Sequence, residues 1–197
     1  MTGLVLLAAG ASVRMGKPKQ ELLYKGKTLL GHAIDVALDS VCEPVVVVLQ
    51  PDATLALPDT QKPVLTVHNP NWRQGMSASI HCGLAALMAA APEVTGAIFM
   101  VCDQPFVETA LLNSLVQTNA GSGKGIVACY YQGTLGTPVL FNRVYFEELL
   151  YLRGKEGAKK LLFRHSEDVA TLPFSLGAVD IDTPEDYKRL HTSESRN

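Results

Sequence analysis

Cysteine is scarce in this sequence, four in 197 residues, and Cys42, Cys82, Cys102 and Cys129 lie far apart with no C-x-x-C pair. That spacing excludes a zinc ribbon and a disulfide framework. It reads as free thiols, three of them in apolar surroundings, in a reducing compartment. Long hydrophobic runs are also missing, since no stretch approaches the roughly 18 apolar residues of a membrane span. The chain enters an apolar strand almost at once, without the basic region and long apolar stretch of a secretion signal. An excess of cations is absent too. Lys and Arg total 17 against 19 Asp and Glu, a formal net charge of −2, which excludes a basic nucleic-acid-binding face and concentrates the cations locally. The five histidines match no metal-ligand spacing, and His81 reads as structural. The expectation is a cytoplasmic protein with neither nucleic acid nor membrane as partner.

What is present is a core. With 47% hydrophobic residues, the chain is long enough for one domain, expected over residues 1–191, with a polar tail over 192–197. Apolar runs of strand length occur at residues 4–7, 45–49, 97–102 and 126–130. Helical spacing separates them: Leu30, Ile34, Ala37, Leu38 and Val41; then Met76, Ile80, Leu84, Leu87 and Met88; then Val107, Leu111, Leu112 and Leu115. Continuous rather than alternating apolar strands require burial on both faces. The fold class is therefore α/β, a three-layer Rossmann-like arrangement with a mostly parallel sheet and helices on both faces. Gly133 and Gly136 suggest a hairpin or a backbone-lined wall, with an antiparallel strand inserted in the sheet. In such sheets ligands bind beyond the carboxyl ends of the strands, which marks the loops at 8–20, 69–79 and 103–106.

The first of these loops is the most informative. Residues 7–20 read L-A-A-G-A-S-V-R-M-G-K-P-K-Q. Gly10 and Gly16 allow tight turns and close backbone approach, while Arg14, Lys17 and Lys19 supply charge for several anionic oxygens. It is not a Walker A loop, because five residues separate the glycines and Pro18 replaces the magnesium-binding hydroxyl; G-x-G-x-x-G also fails. An ordinary basic surface loop is the alternative.

Three further segments carry candidate chemistry. Asp103-Gln104-Pro105 follows a buried strand, where a carboxylate holds a magnesium ion or begins a turn or helix. In residues 179–187, Thr183, Pro184 and Asp186 form a helix-start signature. That leaves Asp180 and Asp182 on one face of an extended segment with Ile181 on the other, facing a cation or a solvated edge, with Asp182 as the candidate second metal ligand and Asp180 as a supporting or surface group. In residues 69–80, Gly75 permits close approach, and Ser77 and Ser79 fall in a first helical turn, to bind a base edge or phosphate or simply to cap. Trp72 beside them covers the core edge or stacks on a heterocycle.

Taken in order, L-A-A-G-x-S-x-R-M-G-x-P-K-Q, N-P-x-W-x-x-G-M-S-x-S-I, D-Q-P, G-x-P-V-x-F and D-I-D-T-P-E-D-Y resemble the molybdenum cofactor cytidylyltransferase family over nearly the whole chain. The resemblance implies a nucleotidyltransferase fold and Mg2+-dependent transfer of CMP from CTP to molybdenum-bearing molybdopterin, giving the cytosine dinucleotide and pyrophosphate for a molybdenum hydroxylase recipient. It assigns Leu7, Ala8, Ala9, Gly10, Arg14, Lys19, Gly75, Ser77 and Ser79 to nucleotide binding, with Arg14 and Lys19 on the triphosphate and Ser79 near cytosine. Arg14, Lys19 and Asp103 become catalytic, and Asp103 and Asp182 bind the metal. Relatives using GTP read L-A-G-G where this chain has Leu7-Ala8-Ala9-Gly10, which favours CTP.

The chain departs from the family at Ala78, at Thr137 and at Gly154-Lys155-Glu156-Gly157-Ala158-Lys159, where relatives carry G-D-x-G-A-R. The last departure bears on the acceptor. Two other readings stand: a cytidylyl- or uridylyltransferase for a sugar phosphate or isoprenoid precursor, and a noncatalytic molybdopterin-binding accessory protein.

Overall fold

The computed structural model describes residues 1–53, 62–154 and 157–194. Among the described residues nine strands form, β1 (Thr2–Leu7), β2 (Leu23–Tyr24), β3 (Lys27–Thr28), β4 (Val45–Leu49), β5 (Val64–His68), β6 (Gly96–Val101), β7 (Ile126–Tyr131), β8 (Thr134–Asn142) and β9 (Val169–Pro173). The helices are α1 (Leu29–Leu38), α2 (Met76–Ala90), α3 (Thr109–Ser122), α4 (Phe146–Tyr151), α5 (Lys159–Arg164) and α6 (Pro184–Glu194). Seven strands make one sheet in the order β5-β4-β1-β6-β8-β7-β9, and β2 with β3 makes a separate ribbon. All neighbours in the large sheet are parallel except β8, which runs antiparallel to β6 and β7.

The four apolar runs are four of the five inner strands, because only a strand covered on both faces can be apolar at every position. Side chains alternate between two cores. Leu4 and Leu6 face Leu30, Ile34 and Leu115 under α1 and α3, whereas Val5 and Leu7 face Ile80, Leu84 and Leu149 under α2 and α4. Each such fully buried Leu or Ile contributes about 1.5–3 kcal/mol. The three-layer, mostly parallel architecture is thus the expected one.

The hairpin also forms. Gln132 and Gly133, at φ 47° and 75°, make the two-residue turn between β7 and β8, as a primed turn requires. Gly136 lies inside β8, opposite Cys129.

Other boundaries differ from expectation. Helix α1 ends at Leu38, leaving Val41 exposed, and α3 starts at Thr109 rather than near Val107. Helix α6 continues through Glu194, three residues into the stretch expected as a tail. Strands β5 and β9 were not anticipated. Both are sheet edges with half-covered faces, so neither carries a continuous apolar run. Cys42, Cys102 and Cys129 are buried free thiols, as their surroundings implied. No helix among the described residues is long and apolar enough to cross a membrane.

Candidate active site

Strands β1 and β6 are adjacent and parallel, so the loops leaving Leu7 and Val101 emerge side by side at one sheet edge. The loop after β1 is held from several directions. Its Ala8 amide donates to the Val48 carbonyl, and Gln50 Nε2 donates to the Gly10 carbonyl at 2.8 Å. The Met15 side chain is buried with Ile181 and Leu190, tying the loop to the C-terminal segment. The positive φ angles fall at Ser12 (49°) and Gly16 (72°). Gly10 therefore does not make the turn, contrary to the sequence reading. A Cβ at Gly10 would meet nothing within 4 Å, so its missing side chain leaves open space. Ser12 Oγ accepts from the Lys19 amide at 3.1 Å, which fixes the backbone from which Lys19 reaches inward.

The second loop meets the C-terminal segment through one backbone bond. The Ile181 amide donates to the Asp103 carbonyl at 2.9 Å. Ile181 is wholly buried, so Asp182 is turned to the Asp103 side. Lys19 Nζ then spans the two carboxylates, donating to Asp103 Oδ2 at 3.0 Å and to Asp182 Oδ1. Arg14 pairs with the other oxygen of Asp182 while its side chain stays 69% exposed. Burial alone lowers the Lys19 pKa. The Asp103 charge and the hydrogen bonds to Asp182 and Asp103 outweigh it, and the net shift is upward. Asp180 is solvent-exposed at its edge, yet desolvation by the surrounding protein, then the charges of Asp103 and Asp182, push its carboxyl up to about 6.

Two recesses open around this cluster. The larger, about 660 Å3, is lined by residues 7–14 together with Lys19, Gln20, Trp72, Gly75, Ser79 and Asp103. The smaller, about 280 Å3, is lined by Gln104, Tyr131, Thr137, Lys159 and Asp180, among others. Leu7, Met76, Val101, Asp103 and Asp182 belong to both. The carboxylates thus stand on the common wall. They form a pair: among the described residues no group of three metal-ligating side chains occurs. The pair already accepts a positive charge from Lys19, as a cation site must, and any divalent ion would complete its shell from ligand oxygens or water.

The structure therefore gathers Leu7, Ala8, Ala9, Gly10, Arg14, Lys19, Gly75, Ser79, Asp103 and Asp182 around one cleft. Ser77 is a correction. It is 3% exposed and outside the cleft lining, and its hydroxyl donates to the Gly154 carbonyl at 2.8 Å, which anchors α2 to the segment after α4. Lys17 is also diverted, its ammonium lying 5.6 Å from the Tyr187 ring centre. Ser79 instead accepts from Asn69 Nδ2 at 3.1 Å, and Trp72 lines the cleft with Arg73 over its ring. Thr183 and Asp186 exchange the capping bonds expected of a helix start.

Sequence reasoning missed the smaller recess. Buried Gln104 organises it, donating to the Gly177 carbonyl at 2.8 Å and accepting from Thr137 Oγ1 at 3.0 Å. The signal was the amide in D-Q-P, a polar residue directly after a buried strand. Lys155 and Glu156, where the acceptor departure was noted, lie outside the described residues; Gly157, Ala158 and Lys159 beside them line the recess.

Comparison with known proteins adds a family. The crystal structure of Rv0371c from Mycobacterium tuberculosis H37Rv is 34% identical, with TM-score 0.78 over 96% of this chain and 97% of that one. Its complex with manganese matches at 32% identity and TM-score 0.74, covering 96% of each chain. Purine catabolism protein PucB of Bacillus subtilis (strain 168) is 29% identical across 97% of this chain and 96% of its own. Molybdopterin-guanine dinucleotide biosynthesis protein A from Archaeoglobus fulgidus shares the fold, at TM-score 0.71, 18% identity and full coverage of both chains. A family profile described as the MobA-like NTP transferase domain matches residues 4–169, the span that contains both loops and every cleft residue named above except Asp180 and Asp182. On that match the chain belongs to the MobA-like NTP transferase domain family.

Proposed function

We propose that this protein transfers CMP from CTP to the phosphate of molybdenum-bearing molybdopterin, with Mg2+, releasing pyrophosphate. The observation that carries this reading is the pair of carboxylates, Asp103 and Asp182, on the wall common to two recesses. The larger recess has the volume and the cations, Arg14 and Lys19, for a nucleoside triphosphate, and the smaller offers Lys159 beside the common wall for an acceptor. The manganese complex of Rv0371c supports the use of a divalent ion. The Leu7-Ala8-Ala9-Gly10 stretch along the larger recess supports CTP.

The chemistry asks for alignment and charge neutralisation. A phosphate monoester is already anionic near neutral pH, so attack on the α-phosphorus needs no strong protein base. Lys19 and Arg14 would take phosphate oxygens of the triphosphate and stabilise charge passing to pyrophosphate. Lys159 would receive the acceptor's anionic end, held against the common wall by a recess that Gln104 shapes. Mg2+ bound to Asp103 and Asp182 would supply Lewis-acid neutralisation at the α-phosphate. Residues 1–191 would act as one catalytic unit in the cytoplasm, supplying a molybdenum hydroxylase.

Incubation with CTP, Mg2+ and molybdenum-loaded molybdopterin should release pyrophosphate. Asp103→Ala should lower that rate about 10²-fold or more, as removal of one electrostatic group typically does. Near-normal release by folded Asp103→Ala would contradict the assignment.

A further inference from the structure

The ion pairs of Lys19 have a consequence for the order in which ligands enter. We infer that Lys19 makes divalent-cation binding depend on a bound nucleoside triphosphate, an inference that rests on the metal reading of Asp103 and Asp182 above. The ammonium sits between the two carboxylates, 3.0 Å from Asp103 Oδ2 and paired with Asp182 Oδ1, with its side chain only 14% exposed. Arg14 takes the remaining oxygen of Asp182. Lys19 and Arg14 offset the charges of Asp103 and Asp182 and, among the described residues, leave Asp180 as the one further acid lining the smaller recess, so little net charge draws a divalent ion from water. Such an ion must also displace a half-buried ammonium, leaving it beside a like charge, and both effects oppose entry.

A triphosphate reverses the balance. It carries about four negative charges and brings oxygens into the cleft that Arg14, Ser12 and Lys19 line. Lys19 has a flexible four-carbon stem on a backbone pinned to Ser12, so its ammonium can exchange a carboxylate for a phosphate oxygen without moving the loop. That exchange frees Asp103 and Asp182 for the metal. Linkage requires the reverse as well: bound metal repels Lys19 toward the phosphates and tightens the nucleotide. Lys19 thus weakens metal binding at a site that holds no nucleotide. It also couples two ligands that meet only at the common wall.

The test uses Mn2+ alone, with no nucleotide, and reads free Mn2+ by electron paramagnetic resonance on the full chain. Lys19→Met should bind Mn2+ about tenfold more tightly than the wild type, within the usual range of coupling between sites. The gain should vanish in Lys19→Met/Asp103→Asn. Should Lys19→Met melt poorly from repulsion between the bared carboxylates, Mn2+ should restore a cooperative melt. Folded Lys19→Met with wild-type Mn2+ affinity overturns the inference, as does a Lys19→Met chain that Mn2+ neither binds nor stabilises. The outcome is separable from the transfer reaction. Tight Mn2+ binding by Lys19→Met with no cytosine dinucleotide made by the wild type would keep the coupling and remove the proposed activity.

Discussion

Ser77 and Ser79 are two residues apart on α2, yet their hydroxyls have opposite tasks. Ser77 donates to the Gly154 carbonyl, and Ser79 lines the larger recess beside Asn69. Ser77→Ala should cost about 1 kcal/mol of stability, the usual net worth of a hydrogen bond, with KM for CTP unchanged. Ser79→Ala should raise KM for CTP with less effect on stability. A thermal melt and steady-state kinetics on both variants distinguish the roles, and the opposite pattern would contradict them. At this scale the sequence was informative where the residue type itself implies charge chemistry. Residue type and loop position marked Arg14, Lys19, Asp103 and Asp182 as candidates, and the structure brings the four side chains together. Ser77 was misread because a serine in a first helical turn caps, packs or binds ligand from the same local pattern. Gln104 was overlooked because its partners, Gly177 and Thr137, are distant in sequence.

Elements are held in place here by close approach. A Cβ at Gly83 would lie 2.4 Å from Val5 Cγ1 and 2.8 Å from Val48 Cγ2, so α2 rests directly on β1 and β4. Gly83→Val should push α2 off the sheet and cost about 1–3 kcal/mol or more, as overpacking does. Because Ser79 and Gly75 ride on that helix and its entry, the same variant should weaken nucleotide binding; an unshifted melting curve would contradict this packing.

A second clamp joins the hairpin to the last edge strand. Asp168 accepts from the Gly125 amide at 3.0 Å and from Tyr145 Oη. The Tyr145 hydrogen bond, then the Gly125 amide, holds the Asp168 carboxyl below its usual range, and burial together with Asp168 pushes the Tyr145 phenol up to about 12. A depressed carboxylate contributes stability above its unfolded pKa, near 3.9, and loses that contribution as pH falls through the folded value. Wild type should therefore exceed Asp168→Asn in urea stability at pH 7, and the gap should close in acid below about pH 4. A gap that persists unchanged into acid would rule out the charge as its source. Strands β1, β4, β6 and β7 and helices α1, α2 and α3 were readable from apolar periodicity, whereas the short helices α4 and α5 were not. The edges β5 and β9 were not, because half-covered strands mix polar and apolar residues in no long run.

For the whole molecule, topology makes the site. Parallel neighbours β1 and β6 deliver Lys19 and Asp103 to one edge, and the chain returns after β9 to set Asp182 beside them. The fold class followed from the alternation of buried strands and helices. The arrangement of two recesses around one pair of carboxylates depends on contacts across 163 residues, between Lys19 and Asp182, that no local pattern encodes. The central claim is that a nucleotide in one recess reacts with an acceptor in the other across that wall. The direct measurement is the mass of the product formed from CTP, Mg2+ and molybdenum-loaded molybdopterin. The account predicts molybdopterin cytosine dinucleotide, in step with pyrophosphate and nearly abolished in Asp103→Ala. Molybdopterin recovered bound but unmodified, with no pyrophosphate, would contradict it and identify a carrier instead.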